Sequence, residues 1–306
     1  MEKIVIKSLQ DNLNLDCLLS EQSVKKAVFV INHGMNEHKE RYQDFMNFLT
    51  SNGYVCFIYD HRGHGKSLKD DSDLGYFYDN KAEYIVEDLE QVIKYLKDRY
   101  KNKNIYLFGH SMGSMVVRKY LSLYDDEING LIVCGSPSEN KYAKLGLILI
   151  KIEELFKGDK YKSDFVKKLM FNNYNKNCAP NEWICYNKDI LKKYNDDNLC
   201  QFTYTLNGYE NIVRLMMNIY NKKIYKRKNL NIPIYFIAGY DDPVIVNKEK
   251  WIKAQEFLRK IGYNNITSTL YSNMRHEILN EIDNKIVYSD ILNWLNDNEK
   301  KLIKKV

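Results

Sequence analysis

The chain reads as an α/β protein, a mostly parallel central sheet flanked by helices and interrupted by a helical insertion, on three observations. Short runs rich in Val, Ile, Phe and Tyr alternate with longer stretches of helical period. The alternation lapses between Pro137 and Pro233, and it resumes afterwards. Parallel strands buried on both faces read as near-continuous apolar runs, because helices cross over between them and cover both sides.

The strand candidates, in order, are "KIVIKS", "LDCLLS", "AVFVIN", "YVCFIYD", "IYLFG", "LIVCGS", "IPIYFIAG" and "ITSTLY". Only the turn-like "QDNLN" separates the first two, so they form an antiparallel hairpin at the sheet edge. Between strands, residues 81–99 carry Ile85, Leu89, Val92 and Leu96 at spacings of 4, 3 and 4, which puts them on one helix face. The stretch from 138 to 228 has helical and aromatic-rich texture without a clear strand. It is expected to be a helical cap inserted into an α/β core made of residues 1–137 and 229–306.

At 306 residues the chain can bury one large core, and no apolar run approaches the roughly 20 residues of a bilayer crossing. The N-terminus lacks a basic region followed by an apolar one, so a cytoplasmic protein is expected. Six scattered cysteines with no C-x-x-C read as small buried hydrophobes, not as a zinc knuckle or a disulfide framework. The net charge of +6 is uneven, since residues 138–228 hold 18 Lys+Arg against 10 Asp+Glu. Lys, Asn, Ile and Tyr abound throughout, and that bias weakens any inference to nucleic acid; none is expected as a partner.

The chemistry-bearing motif is "IYLFGHSMGSMVVRKYL", a strand, then Gly-His-Ser-Met-Gly, then a helical run. Gly-x-Ser-x-Gly in that context is a nucleophile elbow, in which small residues permit the sharp turn that exposes the Ser111 hydroxyl. The alternative is that Ser111 only caps the helix. A nucleophilic serine needs a base and an acid, and in this fold class they follow in the order Ser, Asp/Glu, His. Of His33, His38, His61, His64, His110 and His276, only His276 follows Ser111. The acid is sought past a strand end in "IPIYFIAGYDDPV", where the proline after it favours Asp242 over Asp241.

His276 also begins a His-Glu-x-x half-motif of zinc proteases, but the second ligand position holds Asn280, so no metal is expected. The loop "VINHGMNEHKERY" begins His-Gly after a buried strand, and glycine lets a backbone N–H approach the nucleophile. The oxyanion donors would be the backbone N–H groups of Met35 and Met112. His33, His61 and His64 are expected to pack the loops.

Taken together these segments resemble the monoacylglycerol lipase and lysophospholipase branch of the α/β-hydrolase superfamily, of the serine aminopeptidase S33 type. "HGMNEHKERY" and "DHRGHGKS" look like that branch's oxyanion loop and its Asp-x-Arg-Gly-His-Gly-x-Ser loop. "GHSMGS", "AGYDDPV" and "RHEILNE" correspond to its nucleophile, acid and base segments, and "YNDDNLC" with "FTYT" resembles its cap. Asn36 departs from the smaller residue common there.

The resemblance implies an α/β-hydrolase fold and hydrolysis of monoacyl lipids or related carboxylic esters, with no cofactor and with Ser111, Asp242 and His276 as nucleophile, acid and base. Rival readings are a thioesterase or serine aminopeptidase using the same triad, and a non-enzymatic ligand-binding receptor or scaffold. The apolar "LGLILI" beside lysines could rest on an anionic membrane surface or pack over the core.

Overall fold

The computed structural model describes residues 1–171, 174 and 178–303. Parts of the expected cap (172–173, 175–177) and the last three residues of the expected core (304–306) lie outside the described residues.

Eight strands build one sheet: β1 (Glu2–Lys7), β2 (Asn14–Ser20), β3 (Val28–Asn32), β4 (Val55–Tyr59), β5 (Ile105–His110), β6 (Gly130–Cys134), β7 (Ile234–Gly239) and β8 (Ile266–Tyr271). Their spatial order is β1-β2-β4-β3-β5-β6-β7-β8. β1 and β2 form the expected antiparallel hairpin, β2 also runs antiparallel to β4, and every other pairing is parallel. All eight strand candidates are therefore strands of this sheet.

The central strands are buried along their whole length, and alternate residues serve opposite faces. Val28, Val30, Phe57, Leu107 and Val133 meet α2 (Tyr84–Arg99), α3 (Met112–Tyr124) and α8 (Lys248–Ile261). Phe29, Ile31, Ile58, Phe108 and Ile132 meet α1 (Gln43–Ser51) and α9 (Asn284–Ile303). Helix α2 buries Ile85, Leu89, Val92 and Leu96 as its period requires. It starts at Tyr84, later than 81, because the Asp79 carboxylate accepts the N–H groups of Lys81, Glu83 and Tyr84 and Ala82 takes a φ of 56°.

Between β6 and β7 the chain forms α4 (Ala143–Lys157), α5 (Asp164–Phe171), α6 (Lys188–Asp196) and α7 (Leu206–Ile219). The described residues there hold no strand beyond an isolated bridge between Lys162 and Thr205. Helix α4 packs on α7 through Ile150, yet Leu145, Ile148, Ile152 and Leu155, spaced 3, 4 and 3, are all at least half exposed. Among the described residues, no helix is long and apolar enough to cross a membrane. Five of the six cysteines are buried and all are free thiols.

Candidate active site

Ser111 sits between the end of β5 and the first turn of α3, with φ 52° and ψ −115°, a region L-residues rarely occupy. The turn closes only because its flanks are glycine. A Cβ on Gly109 would lie 2.4 Å from the Gly113 carbonyl oxygen, and one on Gly113 would lie 2.1 Å from the Asn32 carbonyl oxygen. The Ser111 N–H donates to the Cys134 carbonyl on β6 at 3.0 Å, tying the elbow to the sheet. Met112 opens α3, so its N–H belongs to the turn whose donors a helix leaves unpaired and which favour negative charge.

Asp242 lies on the loop after β7, nearly wholly buried. Its Oδ1 accepts the Val244 N–H at 2.8 Å, and its Oδ2 pairs with Nδ1 of His276 at 2.9 Å. An ionised carboxylate only accepts, so the Nδ1 of His276 carries hydrogen and Nε2 is left as the basic nitrogen. Asp241 instead faces solvent and accepts from the Tyr186 hydroxyl. Gly135, at φ +54°, backs the pair: a Cβ there would lie 3.1 Å from the His276 ring and 3.2 Å from the Asp242 carboxylate.

Met35 follows β3 on the loop that crosses the elbow. A Cβ on Gly34 would come within 3.0 Å of the Ser111 Cβ, so glycine is what allows the backbone this close. Met35, Met112, Ser111 and His276 line one cavity of about 70 Å³. Its remaining walls are mostly apolar and aromatic, with Met170, Phe171, Trp183, Ile212 and Met216 prominent, and Asn36, Glu37 and Glu277 add polar groups. The Trp183 ring stands 5.2 Å from that of His276. A larger cleft of about 880 Å³, lined by Lys119, Lys151, Glu210 and Arg214, contains none of Ser111, Asp242 or His276.

Behind the site stand two buried ion pairs that sequence reading did not single out. Glu37 bonds Nδ1 of His110 at 2.8 Å and accepts the Tyr42 hydroxyl at 2.6 Å. The other ring nitrogen of His110 donates to the backbone carbonyl of His276 at 3.2 Å. Burial would raise the Glu37 carboxyl, but the charge and hydrogen bond of His110 outweigh it and hold it well below the usual range. Burial would likewise lower His110, and Glu37 reverses this. Arg41 grips Glu277, the neighbour of His276, in a second pair. The spacing of Glu37, Arg41 and Tyr42 within "NEHKERY" was the available signal.

His33, His61 and His64 are buried with their rings 4.5 to 6.4 Å apart, as loop-packing residues would be. Burial holds all three below the ordinary histidine range, His33 at about 4 and His64 at about 3. Among the described residues, the candidate metal-ligand trio is His38, Asp197 and Cys200, with ligand atoms within 4.8 Å. The His38 ring is already committed to Glu40 and Asp197 at 2.8 Å each, and burial pushes the Cys200 thiol far up, so this cluster reads as a hydrogen-bonded contact.

Residues 23–283 match the profile of the family described as serine aminopeptidase, S33. A monoacylglycerol lipase of Mycolicibacterium smegmatis is 20% identical over 276 residues, 88% of each chain. A probable lysophospholipase L2 of Haemophilus influenzae is 23% identical over 276 residues, 86% of this chain and 81% of its own. Among solved structures, a highly thermostable carboxyl esterase from Bacillus coagulans in complex with glycerol superposes with a TM-score of 0.86 at 26% identity, covering 97% of this chain and 98% of that one.

Proposed function

Because the chain belongs to the serine aminopeptidase S33 family, within the esterase and lipase type of α/β-hydrolases, we propose that it hydrolyses carboxylic esters of single-chain lipids, monoacylglycerols or lysophospholipids. The observation that carries this reading is the convergence of Ser111 and the Asp242-oriented His276 on a small cavity walled by methionines and aromatic rings.

In this mechanism His276 Nε2 takes the Ser111 proton as Oγ attacks the ester carbonyl, and Asp242 stabilises the imidazolium that forms. The N–H groups of Met35 and Met112 receive the oxyanion. His276 then protonates the leaving alcohol, and water attacks the acyl-enzyme by the same route to release the fatty acid and restore Ser111.

Two features favour lipid esters over aminoacyl substrates. The walls suit an acyl chain, and both carboxylates that line the cavity, Glu37 and Glu277, are already paired with His110 and Arg41. Neither is left to hold a substrate ammonium. The cavity, at about 70 Å³, is far below the roughly 300–1,000 Å³ of occupied small-molecule sites, so its walls must part to admit substrate. We assign that movement to residues 138–228, acting as a cap over a core of 1–137 and 229–306.

The same segment offers a membrane contact. Leu145, Ile148, Ile152, Leu155 and Phe156 on α4, with Phe165 and Leu169 on α5, expose apolar side chains within the lysine-rich stretch. Such a face would rest on an anionic surface and take single-chain lipids from it. A panel of monoacylglycerol, lysophospholipid, acyl thioester and aminoacyl amide separates the readings: kcat/KM should be highest for one of the first two. Preference for the amide would overturn the ester assignment.

A further inference from the structure

The two peptide groups on either side of Met35 are each held by a buried ring that the hydrolytic mechanism does not use. On one side, Nδ1 of His33 lies 2.8 Å from the Gly34 carbonyl oxygen, and Nε2 of the same ring accepts the His61 N–H at 2.9 Å. Since Nε2 accepts, the proton sits on Nδ1 and is donated to Gly34. The Gly34 carbonyl and the Met35 N–H belong to one planar trans peptide and point in opposite directions. Fixing the first fixes the second.

On the other side, the Asn36 N–H donates to the Tyr204 hydroxyl oxygen at 3.0 Å. Having accepted there, Tyr204 gives its own proton to Nε2 of His64, whose Nδ1–H goes to the Arg62 carbonyl at 3.0 Å. Each donor therefore meets one acceptor, provided that both histidines are neutral, which their burial enforces. Asn36 itself takes a φ of 52°, and its side chain donates to the Phe202 carbonyl at 2.9 Å. Tyr204 is wholly buried and its neighbour Thr205 is bonded to the Gly75 carbonyl through both backbone and hydroxyl, so its position is fixed by the core.

We propose that Tyr204, together with His33, is a positioning residue for the oxyanion donor at Met35, so that the segment between β6 and β7 sets the geometry of catalysis as well as access to it. The proposal rests on the esterase reading above. It separates Tyr204 from a substrate-binding residue: its hydroxyl acts on the loop, and its loss should be felt in the transition state.

The test is Tyr204→Phe, which deletes only the hydroxyl, assayed on p-nitrophenyl acetate, a substrate too small to use the acyl walls. Tyr225→Phe is the control, because it removes another buried hydroxyl of the same segment, bonded to the Ile219 carbonyl at 2.7 Å. Tyr204→Phe should lower kcat on the order of 10-fold, less than the 10²–10³ of losing an oxyanion donor outright, with KM within about two-fold. Binding of a trifluoromethyl ketone, whose adduct places an oxyanion in the same hole, should weaken in parallel with kcat/KM. Tyr225→Phe should lower the unfolding midpoint and leave kcat intact.

A raised KM at constant kcat, unchanged ketone affinity, or an equal kcat loss in Tyr225→Phe would overturn the positioning role while the esterase reading stands. A wild-type protein that neither hydrolyses the ester nor reacts at Ser111 with a fluorophosphonate would instead sink the esterase reading, and this proposal with it.

Discussion

The Arg41 guanidinium holds the Glu277 carboxylate through two parallel hydrogen bonds of 2.7 Å, and stacks on the Tyr194 ring 4.9 Å away. One contact thus joins the loop after β3, the residue next to His276 and helix α6. Both side chains are largely buried, at 11% and 4% exposure, so removing Arg41 leaves the buried Glu277 carboxylate without its countercharge. Arg41→Met should cost about 3–5 kcal/mol in urea unfolding, and Arg41→Met with Glu277→Leu should recover most of it. A single-variant cost below about 1 kcal/mol would mean that the pair is not formed as described.

Asp242→Asn preserves shape while removing the charge and offering an amide that can favour the wrong imidazole tautomer. kcat should drop on the order of 10⁴ with KM little changed. Steady-state kinetics on a soluble ester reads both constants, and a variant with more than a tenth of wild-type kcat would remove Asp242 from its role.

Stability should fall on the acid side before carboxylates titrate. His33 and His64 stay neutral in the fold down to about 4 and about 3, and His61 is held low as well, whereas unfolded histidines take up protons near 6.5. The unfolded chain therefore binds more protons between those limits, and stability present above about 6.5 declines as pH falls toward 4. His38 and His110, both raised, act with opposite sign: their contribution is full below 6.5 and fades as pH climbs through their folded values. Denaturant midpoints from pH 8 to 4 should show this decline, and a flat profile between 6.5 and 4.5 would contradict the buried neutral trio.

The outer face of α4 is the test of the membrane reading. Leu155→Asp with Phe156→Asp changes two side chains that are about four-fifths exposed, so folding stability should shift by no more than about 0.5 kcal/mol per site. Cosedimentation with anionic vesicles should be lost while turnover of p-nitrophenyl acetate persists. Undiminished sedimentation would assign the face to another partner.

Much of the fold was legible because buried parallel strands announce themselves as apolar runs and the short turn in "QDNLN" announced the antiparallel β1–β2 hairpin, and all eight candidates became strands. Their order was not, since β4 lies between β2 and β3 and no local pattern encodes that crossover. At the site, motif and chain order were enough to single out Ser111, Asp242 and His276, which the structure brings together. The supports behind them were hidden, because Glu37 meets His110 across 73 residues and Arg41 meets Glu277 across 236. Asn36 showed in the sequence only as an odd residue in the oxyanion loop. Its N–H reaches Tyr204, 168 positions away, and only the folded chain reveals that acceptor.

The central claim, that Ser111 is an activated nucleophile, is tested most directly by intact-mass measurement after reaction with a fluorophosphonate, followed by peptide mapping. The account predicts one adduct per chain, located on Ser111, with none on Ser111→Ala and slow formation on His276→Ala. An adduct at another residue, or undiminished labelling of Ser111→Ala, would contradict it.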